Sequence, residues 1–574
     1  MRTKWYLFGC ATSLILLILI VVISFFSLMK AAKNPVANVP SNAALVLQLD
    51  KYIPEYTNLE NSNFNYVPLS VFDIVKKIND AKDDPRVNCI IIKPSFLTCG
   101  YASAHEIGLA LQNFKKSGKQ VYAYLNMAGQ KDYHLVSYAN KVYLNPSSSA
   151  GIILTGVGSN ITFYKDLLDK LGVEFKVIRA GKYKAAGETM SRNSMSPEFK
   201  NNLLSLYSDV YTELVKDLAN NRNNPEDSIK YIFEKRPYLI VNQEISKSYK
   251  LVDELITEED MYKKLQIDKE NLISVSKYPG LESKTFQRNI AVIYAYGEIT
   301  PVKASLGSMS ISAKEMKKVI DAVKTDHSVK AVVIRVNSPG GSALESDIIN
   351  NYIMDLKKVK PVVISMGDVA ASGGYYISSN ANYIFADPYT ITGSIGVISM
   401  IPDLNKLSKK IGLKSESVGY GKYINALDTW NGVSPELQKS FQESVDKTYL
   451  EFKTVVSKGR NMSLAKVDSI AQGRVWSAQD AKEIGLIDQI GSLNDAVKKA
   501  AALVNCTSYG IDVYPKKKQL ISAILEDEFN FGSMAKVLTG KFDLQFVPYK
   551  AEQLLDSVKK DPLQMRLPFI IDEK

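Results

Sequence analysis

Two residues of this 574-residue chain sit in surroundings that nucleophilic catalysis requires, and neither suffices alone. Ser372 lies in Met366-Gly-Asp-Val-Ala-Ala-Ser-Gly-Gly-Tyr-Tyr376, after an apolar strand and before helical sequence. A serine flanked by small residues at such a turn exposes its hydroxyl at a helix N-terminus, where backbone N–H groups favour an oxyanion. Taken by itself, the same Ala-Ser-Gly-Gly is equally a tight turn and helix cap. A serine nucleophile also needs a base. The three histidines, His105, His134 and His327, stand in no triad context, and without HExxH spacing they suggest no metal site. A lysine serves instead if burial lowers its pKa from about 10.4 towards neutrality. Lys184, with Tyr183, Ala185 and Ala186 as apolar support, is the candidate.

An internal repeat links the two. Residues 71–104 match residues 312–345: a Lys-Lys helix, a polar turn, then an apolar strand. Tyr138–Pro146 matches Asn380–Pro388, Gly181–Lys184 matches Gly421–Ile424, Met195–Glu198 matches Val433–Glu436, and Lys250–Asp253 matches Gly485–Asp488. The offset stays near 240, so the chain holds two copies of one domain. Ser372 aligns with Gln130, which is no nucleophile; Lys184 aligns with Ile424, which is no base. Each copy keeps one half of a possible dyad, a reciprocity that a purely structural role leaves as coincidence. His134 aligns with Tyr376 and reads as an ordinary half-buried residue.

The elements that must position this pair alternate. β-branched strands such as Val332–Val336 and Val362–Ser365 alternate with helices over Ser310–Val323 and Asp347–Lys358, which predicts βα units and a parallel sheet in each copy. The divisions follow: an anchor over 1–34, a first copy over 35–285 carrying Lys184, a second over 286–505 carrying Ser372, and an extension over 506–574 with no usable motif.

The anchor is Trp5–Met29, 25 uncharged and mostly apolar positions between Lys4 and Lys30. About 20 helical residues span a hydrocarbon core, whereas a cleaved signal peptide has a shorter apolar region and a small-x-small site. Arg2 and Lys4 balance Lys30 and Lys33, so charge bias barely orients it; the α-amino group favours an N-terminus inside. The net charge of +11 is scattered, its densest run being Lys516–Lys518 without aromatic interleaving, which reads as solvated surface rather than a nucleic-acid site. Four cysteines, Cys10, Cys89, Cys99 and Cys506, show no CxxC; the spacing of Cys89 and Cys99 permits a disulfide without establishing one.

With Asn337-Ser-Pro-Gly-Gly-Ser342 upstream and Thr392-Gly-Ser-Ile-Gly396 downstream, the block Gly367–Tyr376 resembles the signal peptide peptidase A family, in its long, two-repeat form. The likeness runs from the anchor to about residue 500. It implies tandem ClpP/crotonase-like domains after one transmembrane helix, and hydrolysis of remnant signal peptides at the outer face of a bacterial cytoplasmic membrane. It further implies Ser372 as nucleophile, Lys184 as general base, Ser394 as the residue orienting the lysine, and the backbone N–H groups of Gly373 and Gly341 as oxyanion hole. No cofactor or metal is implied, and four chains are expected to enclose the site. Val369, where the family has a small residue, and Gly187-Glu-Thr-Met190 after the lysine depart from the pattern. Two other classes compete: a CoA-thioester hydratase or isomerase on the same fold, and an inactive membrane scaffold.

Overall fold

The computed structural model describes residues 38–59, 67–281, 286, 288–302, 309–518 and 564–566. The expected anchor and Cys10 lie outside the described residues. Among the described residues no helix is long and apolar enough to cross a membrane.

Two sheets form the body, the first parallel and the second parallel except where Ile391–Gly393 pairs antiparallel with Val475–Ser477. The first orders its strands Leu272–Ser274, Ala43–Leu49, Val87–Pro94, Gln120–Leu125, Lys141–Leu144 and Glu254–Leu255. The second repeats that order with Gly510–Tyr514, Asn289–Tyr296, Val329–Ser338, Val362–Ala371, Tyr383–Ala386 and Gln489–Ile490. Six strands therefore recur in one spatial order at an offset of about 240 residues, as the repeat predicts. The central strands are buried on both faces, which is why they read as continuous apolar runs.

The helices begin where their caps dictate. Ser70 accepts from Asp73 N at the start of Val71–Asp83, and Ser312 accepts from Glu315 N at the start of Ala313–Thr325. The repeated Ser-Pro-Glu is the cap and first turn of two long helices, Pro197–Arg222 and Pro435–Gly459. Two spans differ from the sequence reading. The helix expected from Asp347 begins at Ala343, because the Ser342 hydroxyl accepts from Glu345 N and caps it earlier. The strand expected to end at Ser365 continues to Ala371 and delivers the chain directly to Ser372.

Two features lock the copies together. Strand Glu174–Ala180 of the first pairs antiparallel with Val397–Asp403 of the second over seven residues, from Val397↔Ala180 to Asp403↔Glu174. This pairing belongs to a third sheet, in which Gln564–Arg566 lies between Gly340–Ser342 and Val397–Asp403. The second feature is a buried ionic cluster. The Arg335 guanidinium donates to Glu55 at 2.8 Å and Glu106 at 2.7 Å, while Asn337 Nδ2 reaches Glu55 at 3.0 Å and Asp368 at 3.3 Å. Glu55 and Glu106 come from the first copy, Arg335, Asn337 and Asp368 from the second. Cys89 and Cys99 are buried thiols, not a disulfide.

Candidate active site

The third sheet carries Lys184 to Ser372. Four residues after the paired strand Glu174–Ala180, Lys184 enters the second copy and its Nζ lies 2.7 Å from Ser372 Oγ. The same nitrogen is 3.0 Å from Ser394 O and 3.1 Å from Ser394 Oγ. Lys184, Ser372 and Ser394 are each 0% exposed. Burial holds the Lys184 amine well below the ordinary lysine range, because an ammonium there would lose its hydration.

The loop bearing Lys184 is fixed from both copies. Tyr183 N donates to Gln472 O at 2.8 Å, and Gly473 packs so closely that a Cβ on it would lie 2.6 Å from Lys184 N and 2.7 Å from Lys184 Cβ. On the other side Arg179 donates to Lys184 O and to Glu188 Oε1, both at 3.2 Å, and buried Glu188 also accepts from Ser196 N and Oγ. The unusual Gly187-Glu-Thr-Met190 thus supplies a brace for the lysine loop. The Tyr183 ring is half-buried under the Lys182 and Arg474 cations, Ala185 is fully buried, and Gly473 closes against Lys184 from the second copy.

Ser372 adopts φ 56°, ψ −114° at the junction of strand and helix, a conformation uncommon for a residue with a side chain. Its N–H donates to Gly393 O at 2.8 Å, and the helix Gly373–Ser378 follows at once. Gly340, at φ 97°, brings its Cα against this turn; a Cβ there would lie 2.7 Å from Gly373 N. Gly341, at φ 148°, abuts the Ile299 carbonyl, so neither glycine can carry a side chain. Gly340 and Gly373 thus approach each other closely at the turn that holds Ser372.

The positions that lack catalytic side chains are occupied otherwise. Gln130 Oε1 accepts from Thr155 N at 3.0 Å and Gly156 N at 2.9 Å, tying a loop that Ser372's side chain leaves alone. Ile424 is 48% exposed on a surface turn. His134 is fully buried rather than half-buried, contacting Asp217 at 3.1 Å, and His105 contacts Asp387 across the two copies at 2.6 Å. Neither accepts from Ser372. Burial and neighbouring Glu55 raise Glu106, despite Arg335, to about 7, and burial with Glu55 raises Asp368 as well. Local sequence gave no sign of this cluster, whose members are spread over more than three hundred positions. Among the described residues no group of side chains could hold a metal ion.

The sequence pattern of peptidase family S49 matches residues 113–272 and 354–507. Protease 4 of Haemophilus influenzae is 36% identical over 518 residues, covering 85% of this chain and 83% of that protein. The chain belongs to peptidase family S49. Protease 4 of Salmonella typhi is 35% identical over 475 residues, 80% of this chain and 76% of that protein. The chloroplastic serine protease SPPA of Arabidopsis thaliana is 33% identical over 451 residues, 76% of this chain and 66% of that protein. This S49 protein is a serine peptidase, which displaces the CoA-thioester reading. The two matched segments fall one in each copy, so the S49 pattern is itself repeated.

Proposed function

We propose that this S49 peptidase is a membrane-anchored endopeptidase of released signal peptides, built on tandem ClpP/crotonase-like domains. Ser372 is the nucleophile, Lys184 the general base and Ser394 the residue that orients it. The observation that carries this reading is the 2.7 Å approach of a fully buried lysine nitrogen to the Ser372 hydroxyl. A neutral amine has one lone pair and two N–H groups; here they meet one hydroxyl and the two oxygens of Ser394. The lone pair takes the Ser372 proton as Oγ attacks the peptide carbonyl, and the Gly373 and Gly341 N–H groups stabilise the oxyanion. Lys184 then passes the proton to the leaving amine, and water hydrolyses the ester. The apolar run Trp5–Met29 is the anchor, and the body lies on the outer side of a bacterial cytoplasmic membrane.

The assembly proposed is a homotetramer. The strand pairing inside one chain joins residues 174–180 to 397–403. Their repeat equivalents, residues 414–420 and 157–163, carry no strand, and the former expose Val418 at 98% and Tyr420 at 104%. The same pairing made between chains is head-to-tail and closes into a ring; the number four is what the resemblance implies. A serine-reactive phosphonate tests the chemistry: labelling of Ser372 in the wild type and its loss in Lys184→Ala support the dyad. An unlabelled protein would be the inactive scaffold.

A further inference from the structure

A half-open cleft of about 420 Å³ lies beside the loop that carries Lys184. It is lined chiefly by Lys182 and Tyr183 of the first copy and by Asp468, Ala471, Gln472 and Arg474 of the second, and neither Ser372 nor Lys184 borders it. Arg474 is held in place there by rings. Its guanidinium lies 4.0 Å over the Trp476 ring and 5.7 Å from the Tyr183 ring, while Trp476 is itself tied by Nε1 to Ile470 O at 3.0 Å. Such contacts engage the flat faces of a guanidinium and leave its N–H edge free to donate.

That edge meets no acceptor. Among the described residues no hydrogen bond or ion pair reaches the Arg474 guanidinium, and its Nε is buried without a partner. Asp480 feels the charge without touching it. Buried donors are normally matched by an acceptor, and here the described chain supplies none. Lys182, exposed and held by the Tyr183 ring at 5.1 Å, adds a second cation, and the one acid in the lining, Asp468, is engaged by Lys453 at 2.7 Å. The cleft therefore favours an anion. A guanidinium edge matches a carboxylate with two parallel hydrogen bonds, whereas a doubly charged phosphate would be repelled more strongly by Asp468. The volume is that of a ligand site rather than an ion site, and Tyr183 and Ala471 offer an apolar wall to whatever the carboxylate is attached to. Every cut made by a peptidase creates such a group: a carboxylate on an amino-acid residue.

We propose that this cleft binds the C-terminal carboxylate of a peptide, with the Arg474 guanidinium gripping both oxygens, Lys182 adding charge and the last side chain lying on the Tyr183 ring. The bound peptide would bridge the two copies at the loop that leads into Lys184, so its occupancy can be felt at the catalytic centre. The site uses neither Ser372 nor Lys184 and stands apart from the reading of that pair. The carboxylate has two sources, the far end of the peptide being cut and a peptide already released.

Binding is measured on full-length Ser372→Ala protein in detergent, where no peptide is consumed. Acetyl-Leu-Leu and its C-terminal amide are titrated by calorimetry, and the emission of Trp476, over a Trp476→Phe background, places the bound acid. The amide should bind about tenfold or more weakly than the acid, since it forfeits a charge-assisted hydrogen-bond pair. Arg474→Met should weaken the acid about tenfold, and Lys182→Gln, at an exposed position that leaves the fold alone, about threefold. No saturable binding, acid and amide binding alike, or an acid that binds Arg474→Met and Lys182→Gln as well as the parent would overturn the site. Inorganic phosphate competing as well as the acid would overturn its claim on peptides. With wild-type protein and a Leu-rich peptide, a lower KM for the free acid than for the amide, lost in Lys182→Gln, identifies the substrate's own end. Equal KM values, with a rate that added acetyl-Leu-Leu changes, identify a released peptide. A wild type that cuts nothing while the acid still binds would sink the Ser372–Lys184 reading and leave this site standing.

Discussion

Gly473→Ala tests how tightly the second copy sets the lysine of the first. The new Cβ would stand 2.6 Å from Lys184 N, 2.7 Å from its Cβ and 2.8 Å from its Cα. Carbon contacts settle near 3.5–4.0 Å, so the Lys184 backbone must retreat by roughly 1 Å. Carried to Nζ, that shift would stretch its 2.7 Å contact with Ser372 beyond hydrogen-bond reach. Displacement of this size costs on the order of 100-fold in rate. The φ of 77° adds about 1–2 kcal/mol of strain and the overpacking about 1–3 kcal/mol. Gly485→Ala is the control: at φ 83° it carries the same backbone strain, but its Cβ meets only the mobile end of Met462. Steady-state cleavage of a Leu-rich fluorogenic peptide should show kcat reduced about 100-fold in Gly473→Ala with KM little changed, and near wild-type kcat in Gly485→Ala. Calorimetry should show both melting lower. A Gly473→Ala enzyme within about threefold of wild-type kcat would refute the claim that this contact positions the base.

Five further outcomes are expected. Lys184→Ala and Lys184→Arg should each abolish peptide hydrolysis with the fold intact, since arginine cannot deprotonate at working pH. In the wild type kcat/KM should rise with pH as the buried amine loses its proton, at a pH well below that of an ordinary lysine; a flat profile would count against a lysine base. Burial opposes charge on His105, but Asp387 raises it to about 9, so the folded state holds a proton that the unfolded state releases from about 6.5 upward. That stabilisation, of order 3 kcal/mol, is complete below about pH 6.5 and lost through about 9; melting temperature should fall across that window more steeply than in His105→Gln. Arg335→Met strips the guanidinium from Glu55 and Glu106 and should cost about 3–5 kcal/mol at neutral pH, less at acid pH where the carboxyls are neutral. If the proposed ring forms, light scattering should show four chains for the wild type and separated chains for Val418→Asp/Tyr420→Asp.

Much of the body was legible because it is local and twofold. Strand burial on both faces leaves continuous apolar runs, caps leave Ser-x-x-Glu or Ser-Pro-Glu, and duplication lets each reading be checked against its copy. The reciprocal loss at Gln130 and Ile424 drew attention to Ser372 and Lys184. What was not legible depends on chain segments far apart in sequence. Gly473 reads as a loop glycine until Lys184 is set against it. The charges at Glu55, Glu106 and Arg335 look like solvated surface residues in any window, since only the meeting of the two copies buries them. Met565 belongs to a stretch without periodicity, and its partner strand at Gly340–Ser342 is only three residues long.

The division of the site between copies has a physical consequence. Burial is what lowers the Lys184 amine below the ordinary lysine range, and the wall that buries it comes from the other copy, through Gly473, Ser394 and the strand Val397–Asp403. Separated from that wall, the amine would regain water and its proton, and Ser372 would lose its base. The pairing of Ala180 with Val397 therefore does more than join two domains: it creates the low-dielectric setting that the proposed lysine base requires. On that proposal, docking of the copies and activation of the serine are one event, and a partly docked chain exposes a serine that has no means of attack.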